Sequence, residues 1–279
     1  MDKKYSFVLD YKDSLHTEED LRLSLLAGAT IKIGDLEIKP YSLEEIIQRY
    51  GYSKYLKTVR GILLEVSDFE LEKTNPEMVE LLSTYGAYTA FDLYYRFLGA
   101  DFQKMLVEGL QLIFRTEDII TYPDEDYITI GKKDESGQAL VINRTNFDKI
   151  VQVVKLQNYL EVDLEQVVEG EMEAKDEKTR ELLEFQKKMR EKLRKVKNNQ
   201  QDDNDEQSDF DFSSIVSAIT TKSQHIDKTN IWGMTLYQIY DEYNRLMMID
   251  DYSTNIKAIM AGAKDVEITH WSAKPATNN

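Results

Sequence analysis

Along the first half of the chain the apolar residues switch between a spacing of three and four and a spacing of two, so helices and short strands alternate. Residues 17–28, TEEDLRLSLLAG, begin with Thr17 as a cap and Asp20 three residues on, and they end at Gly28, which predicts a short helix with a glycine stop. In 30–40, TIKIGDLEIKP, Ile31, Ile33, Leu36 and Ile38 alternate around Gly34-Asp35, the pattern of a β-hairpin. Ser42 with Glu45 three residues later predicts a capped helix from Leu43 to about Tyr50, closed by Gly51. Tyr55, Leu56, Val59, Ile62 and Leu63 then mark one face of a helix over 53–66. Asn75-Pro76 opens a further helix that runs to Gly86, and 89–114 holds two buried helical segments parted near Gly99-Ala100-Asp101. YITIG and ALVIN on either side of KKDESGQ predict a second hairpin from Tyr127 to Asn143. Thr145 caps the next helix, whose Phe147, Ile150, Val151, Val154 and Leu156 face a core.

Near Gly170 the pattern changes, because 170–200 is almost all charge with few large apolar side chains and can be helical without a core to pack on. QDDNDEQSDFD, residues 201–211, adds six acids and no base, a composition expected to stay disordered in isolation and to be cut first by a protease. Beyond it the spacing is helical again, over about 213–223 and 235–261. The expected fold class is mainly α with small β-hairpins (α+β). It comprises an N-terminal domain over 1–170, a linker over 171–211 that is charged and helical, then acidic and disordered, and a small helical C-terminal part over 212–279.

Composition narrows the function by exclusion. Thirty-five Lys and Arg against 51 Asp and Glu leave a net charge of −16 over 279 residues, so general nucleic-acid binding or attraction to an anionic membrane is disfavoured. The absence of cysteine removes disulfides, thiolate nucleophiles, Cys-ligated zinc and iron–sulfur clusters. His16, His225 and His270 lie in no metal-ligand or His-carboxylate spacing, and a solvated or structural role is the plainer reading of each. No nucleophile elbow, P-loop or dinucleotide fingerprint occurs. Asp124, Glu125 and Asp126 could attract a hard cation, but without EF-hand spacing they read better as a solvated turn before a strand. The basic run 187–197 is bordered by acids and reads as a solvated helix face or an internal partner of 201–211. The expectation is a non-enzyme with no catalytic, cofactor or metal site.

The last helix is more informative. Leu236, Tyr240, Tyr243, Leu246 or Met247, and Ile249 recur at helical spacing, while Tyr237, Ile239 and Met248 widen the apolar surface beyond one stripe. A helix apolar on more than one side needs more than one neighbour. Two readings stand side by side: a core helix of the C-terminal part, or a partner-binding surface with Tyr237, Tyr240, Tyr243, Leu246 and Met247 as anchors, since Met and Tyr suit adaptable interfaces. So short a part has a marginal core of its own.

Two stretches carry a resemblance. IKIGDLEIKPYSLEEIIQRYGYSKYL, residues 31–56, and WGMTLYQIYDEYNRLMMIDDYSTNIKAIMAGAKDVEITHWSAK, residues 232–274, resemble the beginning and end of tail assembly chaperones from long-tailed phages, or prophages, of Gram-positive bacteria. The resemblance implies a non-enzymatic helper in the host cytoplasm that binds the tape-measure protein, keeps it soluble and promotes tail-tube assembly around it. Its implied partners are the tape-measure protein and the tail-tube protein, with neither nucleic acid nor membrane, and with self-association open. In many such phages a short product and a frameshift-extended one share the N-terminal domain. The alternatives are a structural tail or connector component and an acidic inhibitor or decoy.

Overall fold

The computed structural model describes residues 8–10, 18–63, 89–97, 100–122, 126–131, 139–160, 211–263, 266 and 268–273. The expected helix from Asn75-Pro76, the charged stretch 170–200 and nearly all of the acidic run 201–211 lie outside them. The chain divides into two compact units, Met1–Gln157 and Asn158–Asn279.

In the first unit β1 (Val8–Asp10), α1 (Glu18–Leu26), β2 (Thr30–Ile33) and β3 (Leu36–Ile38) come first. β2 and β3 form the expected antiparallel hairpin, with Ile31 opposite Ile38 and Ile33 opposite Leu36, and all four side chains are buried. Gly34 turns the hairpin at φ 63°, a left-handed value that costs glycine little. β1, which the sequence pattern does not reveal, adds a parallel edge to β2. α2 (Leu43–Arg49) starts with a complete capping box: Ser42 Oγ accepts from the Glu45 amide at 3.2 Å and Glu45 Oε2 accepts from the Ser42 amide at 3.0 Å. α3 (Tyr52–Gly61) buries Tyr55, Leu56 and Val59, and Ile62 and Leu63 just beyond it are also buried.

After the undescribed stretch, Thr89 caps a single turn, α4 (Ala90–Asp92), which widens into a π-helical turn over Leu93–Phe97. Periodicity predicts an ordinary helix here. The wider turn keeps Phe91, Leu93, Tyr94 and Tyr95 all buried, with the Tyr94 hydroxyl donating to Gly61 O and Tyr95 to Tyr127 O at 3.1 Å. α5 (Ala100–Phe114) crosses α3 closely. A Cβ built on Gly109 would stand 2.1 Å from Ile62 Cγ2, and one on Gly61 would stand 2.8 Å from Met105 Cγ, so both helices present glycine where they meet.

The second sheet is β4 (Ile119–Tyr122), β5 (Tyr127–Ile130) and β6 (Leu140–Ile142), antiparallel in that order. β5 and β6 are the predicted hairpin, whereas β4 was not expected. One face buries Ile128, Ile130 and Ile142; the other carries Ile120 and Val141 exposed on either side of buried Thr129. α6 (Phe147–Gln157) closes the unit with Phe147, Ile150, Val153, Val154 and Gln157 inward, so Val153 and Gln157 take the places expected of Val151 and Leu156, which are half-buried. Thr145 does not cap this helix; it bonds back to Asn143 Oδ1 through its amide and hydroxyl. Phe91 stacks on Tyr95 at 5.2 Å and meets Phe147 at 5.4 Å, which places aromatic rings at the centre of this unit.

The second unit contains α7 (Phe212–Lys222), a 3-10 turn (Ile231–Gly233) and α8 (Leu236–Met260). Asp211 Oδ1 caps α7 by accepting from the Ser214 amide at 2.8 Å; the Ser213 hydroxyl, donating to the same oxygen at 2.8 Å, and that amide hold its carboxyl below the usual range. Thr235 and Gln238 form a capping box at the start of α8. The architecture is the expected mixture of helices with small sheets.

Candidate partner-binding surface

The IKPYSLEE run, half of the basis for the resemblance, builds a lock inside the first unit. Arg115, at φ 56° just past the end of α5, places its guanidinium 3.8 Å from the Tyr41 ring centre. It also donates from Nη1 to Glu45 Oε1 at 2.7 Å, and from Nη2 to Glu45 Oε2 at 3.2 Å and Pro40 O at 3.0 Å. The Tyr41 hydroxyl donates to Leu112 O at 2.6 Å, and the Tyr41 ring meets those of Tyr50 and Tyr55 at 5.6 and 5.5 Å. Arg115 holds the Glu45 carboxyl down at about 2, and burial pushes the Tyr41 phenol well above its usual value. Glu45 thus serves as a helix cap and an ion-pair partner at once. These residues hold α2 against the end of α5.

Large apolar side chains meet solvent in both units: Leu23, Leu26, Ile47, Ile120, Leu140 and Val141 in the first, and Trp232, Ile249, Ile259, Met260, Ile268 and Trp271 in the second. Tyr237, Tyr240 and Tyr243 are only 7, 4 and 5% exposed, and their rings serve packing inside the unit. Tyr159, at φ 58°, stacks on Tyr240 at 5.4 Å and tilts against Tyr237 at 5.5 Å, while Phe212 meets Tyr240 at 5.7 Å. Asn244 donates to the Tyr159 hydroxyl. Burial pushes the Tyr243 phenol up to about 12. Of the five residues singled out from the sequence, Tyr237 and Tyr240 join this cluster, Tyr243 is buried, and Leu246 and Met247 are half-buried.

α7 runs alongside α8 in the same direction, because Phe212 meets Tyr240 near the start of both and Lys222 pairs with Asp250 ten residues on. The support given to α8 fades along its length. From Leu236 to Met248 seven residues are buried, whereas from Ile249 to Met260 only Asn255 is. Ile249 and Ile259 are exposed and Met260 is 83% exposed; Tyr252 and Ile256 are half-buried. Arg245, Ile249, Tyr252, Ile256 and Met260 follow the three-and-four spacing of one side. That stripe is legible in the sequence but lies apart from the tyrosines, which are larger and draw attention first.

The C-terminal tail crosses this side. Arg245 Nη1 donates to Ala273 O at 2.7 Å and to Trp271 O at 3.2 Å, and the His270 ring meets Tyr252 edge-on at 5.3 Å. Ile268 and Trp271 project exposed from the tail, and Trp232 is exposed on the 3-10 turn, where its indole donates to Lys228 O at 2.7 Å. Among the described residues no cluster of three or more potential metal ligands occurs, and no helix is long and apolar enough to cross a membrane. No curated protein and no solved structure matches the chain. Residues 199–275, which span all the described elements of the second unit from α7 onward, match the family model described as the YomV second domain, a phage-associated domain.

Proposed function

We propose that this chain is a phage tail assembly chaperone that acts in the host cytoplasm without enzymatic chemistry, gripping the tape-measure protein on the outward side of α8. The observation that carries this reading is the exposed apolar run Ile249, Ile259 and Met260 on a helix within the stretch that matches a phage-associated domain. A long helical cargo with apolar stripes needs such a surface, and a net charge of −16 on the carrier would keep the complex soluble. The buried tyrosines then set the shape of the grip, with Leu246 and Met247 at the border between core and surface.

Co-expression of the full chain with tape-measure fragments, followed by co-purification, tests the proposal. Capture weakened by charge at the exposed run, in Ile259→Asp with Met260→Asp, is the expected result; capture indifferent to both changes would remove the surface from the reading. A second reading, a structural tail or connector component, draws on the second sheet, where Ile120 and Val141 are exposed on its two outer strands. It expects a stable homo-oligomer in sedimentation without any partner.

A further inference from the structure

We infer that the C-terminal tail is a displaceable strap that occupies the outward side of α8 until an incoming partner helix takes its place; the inference rests on the function proposed above and concerns the regulation of that same surface. Arg245, Ile249 and Tyr252 are successive positions of one helix side. The tail is fastened at both ends of that short run, to Arg245 through the carbonyls of Trp271 and Ala273 and to Tyr252 through the His270 ring. Because Ala273 lies at Arg245 and His270 at Tyr252, the tail runs back against the direction of the helix and spans the level of Ile249.

The fastening is built to be released. None of the described tail residues, 266 and 268–273, is buried, so leaving the helix uncovers no core. Its two large apolar side chains, Ile268 and Trp271, are exposed while the tail is in place, so hydrophobic burial is not what holds it there. The tail's own turn is made locally, with the Ala273 amide donating to His270 O at 2.8 Å and His270 Nδ1 lying 2.6 Å from Ser272 Oγ. It can therefore leave as a preformed piece. A segment with few buried contacts belongs to the low-stability end of a fold, where ligand-gated motion is found. A strap closed about 90% of the time lowers the apparent affinity for a competing helix about tenfold. Arg245 is in this account a positioning residue.

The test uses the full chain and recombinant fragments of the tape-measure protein of the same phage. Arg245→Ala, and separately a chain ending at Ala263, should bind these fragments about fivefold to tenfold more tightly than the unchanged chain. In Arg245→Ala the His270 ring protons should lose the ring-current shift that they take from Tyr252 in nuclear magnetic resonance spectra, while the amides of α8 keep their protection from deuterium exchange. The cysteine-free sequence allows the converse experiment, in which Tyr252→Cys with His270→Cys is closed by a short bis-maleimide; the closed form should lose capture at least about tenfold relative to the same variant left open. Equal or weaker binding by the truncated chain, or full capture by the cross-linked one, overturns the strap while the proposed function stands. Failure of every form to capture any fragment, the truncated chain included, overturns the proposed function and the strap with it.

Discussion

At the scale of single residues, Glu45 has the most interactions to lose. It caps α2, pairs with Arg115 and thereby fixes the guanidinium over Tyr41, so Glu45→Gln leaves a largely enclosed cation with a poorer acceptor. We expect a loss of about 1–3 kcal/mol in urea unfolding of the first unit. The pH dependence has a definite sign. Arg115 depresses the folded carboxyl to about 2, so its contribution is complete above the unfolded value of 4.5 and is lost as pH falls toward 2. Because the group touches solvent, that contribution amounts to about 1–2 kcal/mol, and the Gln variant should lack this part of the acid sensitivity. Gly109 shows the opposite kind of constraint, one of space. Gly109→Ala gains helix propensity but drives its methyl into Ile62 Cγ2, so a net destabilisation of about 1–3 kcal/mol is expected, relieved in part by Ile62→Ala in the same chain.

At the scale of elements, α8 combines two roles that a mutation series separates. Its first half is core: Tyr240→Ala removes a ring stacked between Tyr159 and Phe212 and should cost about 3–5 kcal/mol in the second unit, read by near-ultraviolet circular dichroism and thermal unfolding. Its second half is surface: Met260→Ala should change stability by less than about 0.5 kcal/mol while lowering tape-measure capture. Tyr243 supplies a check on the core half through its ionisation. The folded phenol titrates near 12 against 10 in the unfolded chain, so its contribution is intact below pH 10 and disappears as pH rises through 12; Tyr243→Phe should be less sensitive to alkali over that interval. The sheets differ in the same way. β2 and β3 are pinned by four buried side chains, whereas β4 to β6 leave Ile120, Leu140 and Val141 in contact with water.

At the scale of the whole molecule, charge and apolar surface have separate duties. With 51 acids against 35 bases the chain repels its own copies at neutral pH, and that repulsion vanishes near the isoelectric point of about 4.7. Solubility in polyethylene glycol titrations should therefore pass through a minimum there. Docking on α8 should behave differently, because apolar burial is insensitive to screening. Capture that persists in about 0.5 M NaCl, where surface charges are screened within a few ångströms, is the expected outcome; capture lost in salt would point to the acidic residues as the attachment instead.

The sequence by itself determined what depends on near neighbours. Ser42 and Glu45 bond to each other three residues apart, Gly34 answers a turn two residues long, and the alternation of Ile31, Ile33, Leu36 and Ile38 sets which side of a strand is apolar; each was legible because the cause lies within one turn of the chain. β4 was not, since IITY becomes a strand only when β5 lies beside it. The widened turn at Leu93–Phe97 was not, since Tyr94 and Tyr95 find their acceptors at Gly61 and Tyr127, more than thirty residues away. The Arg115–Glu45 lock spans seventy residues and leaves no periodic trace. On α8 the sequence displayed large apolar groups on several sides, but period alone cannot say which side is covered. That was decided by Tyr159 and Phe212, which took Tyr237 and Tyr240 into the core, and by the lack, among the described residues, of a comparable neighbour beyond Met248, where Ile249, Ile259 and Met260 face water.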